Sequence, residues 1–308
     1  MNFVVQRSLL MKTRRIGDQF ELTIPGNWKN VTIEMILKDK WNSPKKWIHS
    51  MRMSKEVKIN GEVAGWDEPL KGGDRLQLPL FKDLELNVNP TYGELDVLYE
   101  DEHVIVVNKP AGIDTHPNGP DDTDTLANLV AFHIQASGKS ANVLHVHRLD
   151  KDTSGAVLFA KDPLSKAILD RLLSERKVKR TYHAVAQGSL KKNKGSITDP
   201  IGRDRHHPTR RRVSASGQEA ITHFKVVSKQ QNRTFLTLQL KTGRTHQIRV
   251  HMSSLGHPLA GDLLYDGTPV YKRQALHASS IVFPHPLTGE TISCHASCSD
   301  IAELNWED

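Results

Sequence analysis

His147-Arg148-Leu149-Asp150-Lys151-Asp152-Thr153-Ser154-Gly155 (HRLDKDTSG) is the stretch that decides how this chain is read. It sets a carboxylate, Asp150, beside an arginine and ahead of a Thr-Ser-Gly turn. The apolar run GAVLFAKD (155–162) then reads as a buried strand. A carboxylate in such a turn can act as a nucleophile, a base or a cap for its own backbone. The order His-Arg-Leu-Asp approaches a kinase catalytic loop, but the extra leucine spoils the spacing. No DFG triplet or glycine-rich loop accompanies it.

Working outward, VLYE and HVIVVN (97–108) read as paired strands ending at Lys109-Pro110, and TLANLVAFHIQAS (125–137) has helical apolar spacing. Asp162-Pro163 caps a helix expected to run to about Arg176, with Leu164, Ile168 and Leu172 on one stripe. TYHAVAQG (181–188), ITHFKVVSK (221–229) and RTFLTLQLK (233–241) read as strands. TGRTHQIRVHMSSLG (242–256), with a threonine cap candidate and a glycine stop, reads as a helix. Few βαβ alternations appear, so the expected class is α+β with a mixed, mostly antiparallel sheet.

A smaller basic unit precedes this part. TIEMILKD (32–39) and PKKWIHSMRM (44–53) read as two short helices. VKINGEVAGWDEPLKGGDRLQL follows with strand-like pieces around the Asn60-Gly61 and Gly72-Gly73 turns. That order, over roughly residues 20–80, resembles the S4-like RNA-binding fold. The acidic, proline-punctuated stretch after it begins as a linker. The expected division is 1–81 for the small α/β unit, 82–92 for the linker and 93–308 for the larger domain.

Composition narrows the function. The chain has 308 residues with 37% hydrophobic content, enough for a packed core and too apolar for a disordered protein. Two cysteines, Cys294 and Cys298, make no disulfide framework, and no apolar run reaches the ~20 residues of a membrane span. A cytoplasmic protein without membrane contact is expected. The sequence has no GxxxxGK[ST], strand-linked GxGxxG or GxSxG, and CHASC (294–298) lacks zinc-knuckle spacing. Neither a metal nor a cofactor is expected. The net charge of +7 is concentrated: between Lys161 and Val213 stand fifteen Lys/Arg against five Asp/Glu, leaving the remainder slightly acidic. The cluster RHHPTRRR (205–212) is dominated by arginine, the better phosphate ligand. Its residues Arg205, His207, Arg210, Arg211 and Arg212 are read as a hairpin tip or flexible loop that grips nucleic-acid backbone.

Taken whole, HRLDxxTSG resembles the signature of the RluA family of RNA pseudouridine synthases. VIVVNKPAGIDTHP (104–117) and TGRTHQIRVHMSSLGHPLAGDLLY (242–265) are similar to that family's first and third motifs, in the same order. The resemblance covers about residues 92–300, and an S4-like N-terminal unit is a known companion. It implies isomerisation of uridine to pseudouridine in structured RNA. Asp150 is then the catalytic aspartate, and Arg148 the residue that enters the RNA stack as the uridine flips out. Tyr182 lies against the flipped base, and Arg249 pairs with the aspartate. Near Tyr182 the family more often carries lysine where Arg180 or Thr181 stands. The resemblance leaves open whether the aspartate adds to C1′, adds to C6 or removes a sugar proton. Ribosomal RNA of the large subunit is favoured over transfer RNA as partner, and the chain is expected to act as a monomer. The competing reading is a non-catalytic RNA-binding or ribosome-assembly protein on the same scaffold, for which keeping Asp150, Tyr182 and Arg249 would serve no purpose.

Overall fold

The segment after HRLDKDT is a strand, Ser154–Ala160, buried along its whole length. Side chains alternate across a strand, so a run without polar residues must be covered on both faces. In the computed structural model, which describes residues 11–82, 84–119 and 121–306, it is. Ala156, Leu158 and Ala160 face a cluster that includes Leu164, Ile168, Leu169 and Leu172 of helix Pro163–Ser174. Val157 and Phe159 face the opposite cluster, with Leu126, Val130 and Ile134 of helix Leu126–Ala136. Asp162 caps the first helix through a 2.8 Å bond from the Ser165 amide, as its position before Pro163 predicts.

This strand lies within a ten-stranded sheet. The main path runs Lys194–Ile197, Thr222–Gln230, Arg233–Leu240, Lys179–Gln187, Leu276–Pro284, Ser154–Ala160, Val104–Lys109 and Asp96–Glu100. Thr291–His295 and Leu144–His145 pair off this path. Neighbours are antiparallel except Leu276–Pro284 against Ser154–Ala160, which run parallel at His277–Ser154 and Ala278–Gly155. The sheet is therefore mixed and mostly antiparallel, in an α+β chain. Gly155 makes the parallel junction possible. Its φ is +115°, and a Cβ there would stand 2.3 Å from the Ala278 carbonyl oxygen.

The expected helix over 242–256 is shorter than its pattern. Residues 242–246 form a loop and the helix is Gln247–Ser254. His246, at φ 58°, has left-handed backbone that cannot belong to the helix. The Thr242 hydroxyl is engaged inside the loop, donating to Gln247 Oε1 and accepting from the Ile221 amide. Gln247 also accepts from the Arg244 amide and donates to the Ile221 carbonyl, which stitches the loop to the strand beside it.

The N-terminal unit forms a five-stranded antiparallel sheet ordered Thr13–Ile16, Gln19–Thr23, Arg75–Leu78, Lys58–Ile59, Glu62–Val63. Its first helix is a single α turn, Ile33–Met35, that runs into a π-helical turn, Ile36–Lys40; the second is Lys45–Ser54. Phe20 and Phe81 place their rings 5.7 and 5.4 Å from that of His103, so this unit packs directly on the larger sheet. The stretch 82–92 has no helix or strand among its described residues, yet it is pinned. Asn87 exchanges two hydrogen bonds with Val143, and Asn142 donates to the Glu85 carbonyl at 2.7 Å.

Candidate active site

Asp150 projects from a loop fixed by its surroundings. Lys109, fully buried, donates from Nζ to the carbonyls of Pro110, Ile113 and Lys151 at 2.9, 2.7 and 2.8 Å. Burial drops its pKa to about 8, although the nearby Asp114 and Asp152 charges favour the ammonium form. Thr115 Oγ1 accepts from the Leu149 amide and donates to the Leu149 carbonyl, both at 3.1 Å. The Thr153 amide closes the turn on the Asp150 carbonyl at 3.0 Å. From the other side, Arg273 donates to the Asp152 carbonyl and to Ser154 Oγ while its fork rests on Asp300. Those hydrogen bonds from Arg273, acting against partial burial, lower Asp300 to about 2.

Arg249 is carried across the cavity by helix Gln247–Ser254. Its Nη1 donates to Asp150 Oδ2 at 3.3 Å. Nε and Nη2 form a two-pronged contact with Asp262 at 2.7 and 2.8 Å. Burial works against the guanidinium charge, but the hydrogen bonds and charge of Asp262, with Asp150 added, raise the Arg249 pKa above the ordinary arginine value. Asp262 holds the Nε–Nη2 edge of the fork, which leaves Nη1 to face Asp150. Gly261 sets Asp262 there: its φ is +82°, and a Cβ would meet the Arg273 carbonyl oxygen at 1.9 Å.

His246 joins the same carboxylate at longer range, with Nε2 3.9 Å from Asp150 Oδ2. Its Nδ1 lies 2.8 Å from the Tyr265 hydroxyl, which already accepts from the Arg211 amide at 2.9 Å. The phenol proton is free to reach Nδ1, and in that tautomer the imidazole proton sits on Nε2, facing Asp150. Burial, with Arg249 adding to it, lowers the His246 pKa against the pull of Asp150.

Asp150, Tyr182, Arg249 and Arg148 all line one cavity of about 630 Å³, so the four residues expected to work together do converge. Tyr182 is buried, and burial raises its phenol pKa. Arg148 is exposed at the rim. The basic cluster forms a hairpin, Ile201–Arg203 against Arg211–Val213. His207 is engaged within its tip, Nδ1 accepting from the Thr209 and Arg210 amides at 3.2 and 3.1 Å. Arg210 pairs with Asp266 at 3.1 Å and lies over the Tyr265 ring. Arg211 lines a second hollow with Arg203 and Arg244, next to the main cavity, while Arg212 lines a third. Arg205 is exposed. Among the described residues no cluster of three or more His, Cys, Asp or Glu could hold a metal ion.

The chain resembles known proteins along most of its length. The family model for RNA pseudouridylate synthase matches residues 103–254, and that for the RluD ribosomal pseudouridine synthase N-terminal domain matches 20–76. A Bacillus subtilis protein named uncharacterized RNA pseudouridine synthase YhcT is 50% identical over 264 residues, covering 85% of this chain and 87% of that protein. The chain belongs to the RNA pseudouridine synthase family. Ribosomal large subunit pseudouridine synthase D of Pasteurella multocida is 36% identical over 80% of the chain and 82% of its own length. Among solved structures, human RNA pseudouridylate synthase domain containing 1 aligns with a TM-score of 0.58 at 25% identity, covering 71% of this chain and 89% of the other.

In this pseudouridine synthase the motif strings act as scaffolding as much as chemistry. Sequence reasoning assigned no role to Lys109, Thr115, His246, Asp262 or Tyr265, although all lie inside the quoted strings. The signal that could have found Asp262 is the demand of a buried arginine for a carboxylate of its own.

Proposed function

We propose that the chain converts uridine to pseudouridine in structured RNA with Asp150 as the attacking group and without a cofactor. The observation that carries this reading is the Asp150 carboxylate in the cavity, 3.3 Å from an Arg249 nitrogen whose fork is fixed on Asp262. The reaction breaks N1–C1′, turns the freed uracil and joins C5 to C1′. The C5 proton leaves and N1 gains one, so atoms and charge balance without oxidant, metal or nucleotide. Asp150 supplies the electron pair and Arg249, 3.3 Å away, holds that carboxylate in place. Tyr182, neutral because its phenol pKa is raised, lies against the flipped base. Arg148 enters the stack from the rim. Unstacking costs a few kcal/mol, which the phosphate contacts of the 201–213 hairpin offset.

The RNA we favour is large-subunit ribosomal RNA. Relatives named ribosomal large subunit pseudouridine synthase D support it, as does the match of residues 20–76 to the RluD N-terminal domain. In this reading residues 1–81 form an S4-like unit that meets RNA, 93–308 form the catalytic unit, and a single chain acts in the cytoplasm. No helix among the described residues is long and apolar enough to cross a membrane. The test is tritium release from 5-tritiated uridine in ribosomal and in transfer RNA. Release from large-subunit RNA alone is expected; release from transfer RNA alone would overturn the target, and release from neither would overturn the activity.

A further inference from the structure

Three arginines are buried among the described residues: Arg180, Arg249 and Arg273. Arg249 rests on Asp262 and Asp150, and Arg273 on Asp300. Arg180 is 8% exposed, has no carboxylate within ion-pair distance among the described residues, and keeps Nε sealed from solvent without a hydrogen-bond partner. Removing a charge from water without a partner is costly, so a guanidinium held this way is built for something that arrives. Arg180 stands two residues before Tyr182 on strand Lys179–Gln187, on the same face, and both line the cavity that holds Asp150.

Beside it is a second donor in the same condition. His147 Nε2 accepts from the Leu158 amide at 3.3 Å, which puts the ring proton on Nδ1, and Nδ1 is buried without a partner. Burial, with the Arg180 charge added, pushes the His147 pKa down to about 3, so the ring is neutral. Gly243 gives the arginine room, since a Cβ there would stand 3.2 Å from Arg180 Nη1.

We infer that Arg180, with His147 beside it, forms an anion subsite of the cavity that takes a phosphodiester flanking the flipped uridine. The inference rests on the pseudouridine synthase reading. Uracil is neutral and leaves the guanidinium uncompensated; the backbone phosphate is the anion that RNA brings into the cavity with the base. Exposed Arg148 and Arg176 on the same rim keep their charges in water and need no such partner.

The experiment uses the full chain and a responsive RNA whose phosphate 5′ or 3′ to the target uridine is replaced by a neutral methylphosphonate. For one of the two positions, R180Q and the methylphosphonate should each lower kcat/KM on the order of tenfold, and together no more than either alone. Losses that multiply at both positions would overturn the subsite. Binding is read in parallel. The slope of log Kd against log salt should fall by about 0.7 to 0.9 in R180Q and recover in R180K, which keeps the charge. Equal slopes for all three proteins, each shown folded by its thermal unfolding, would also overturn it. Because the slope needs no turnover, a chain lacking isomerase activity and a chain lacking this contact give different results.

Discussion

At the scale of single residues, Asp150 depends on buried partners. Asp262 aims Arg249 through two short hydrogen bonds and is itself almost fully buried. Asp262→Ala leaves Arg249 with Asp150 as its remaining carboxylate, so unfolding should become easier by about 3–5 kcal/mol. Activity per folded molecule should fall as well. Denaturant titration paired with tritium release checks both, and unchanged activity would show that Arg249 needs no such brace. Lys109 gives a pH signature. Its folded pKa is about 8 against 10.5 for an ordinary lysine, so between those values the unfolded chain holds more protons and stability rises with pH. The stability of the wild type minus that of Lys109→Met should climb from pH 8 to 10.5, and a flat difference would contradict the buried clamp. Asp150, Tyr182, Arg249 and Arg148 were legible because each belongs to a specific local string or a match to one. Asp262, Lys109 and Thr115 were not, because what they do depends on partners that only the fold brings near.

At the scale of elements, the loop before Ser154–Ala160 is held where two strands run parallel, and Gly155 permits their approach. Gly155→Ala adds a Cβ where the Ala278 backbone already stands, at a φ that L residues rarely adopt. A loss of more than about 4 kcal/mol is expected, and near-wild-type thermal unfolding would sink the argument. Six strands of the larger sheet and the helix Pro163–Ser174 could be read from alternation, caps and stripes, since those signals are local; Leu276–Pro284 and Thr291–His295 were not read. The pattern over 242–256 misled by a turn. Thr242 has the type of a helix cap, but its hydroxyl serves Gln247 and Ile221, and His246 breaks the helix with a left-handed backbone. Thr13–Ile16 escaped reading because Arg14 and Arg15 leave it no apolar alternation. Gln19–Thr23 does alternate, with Phe20 and Leu22 two apart, but over only five residues.

For the whole molecule, the concentration of positive charge between Lys161 and Val213 could be read in full from the sequence, but not how its members are used. Arg210 is tied to Asp266, whereas Arg211 opens on the hollow it shares with Arg203 and Arg244. Arg211→Ala should therefore weaken RNA binding and flatten its salt dependence by about one phosphate contact, and Arg210→Ala should do so less. Equal effects, measured across a salt series, would mean that the Asp266 pair dissolves on binding. Arg211 is also linked to the Asp150 carboxylate, since its amide bonds Tyr265, Tyr265 bonds His246, and His246 faces Asp150.

The account stands most directly on the carboxylate of Asp150. Asp150→Asn keeps the shape of the side chain and removes its charge. Tritium release from 5-tritiated uridine in large-subunit ribosomal RNA should fall by roughly 10⁴ or more, while the variant still folds and binds that RNA. Release by Asp150→Asn at a rate close to that of the wild type would contradict the account.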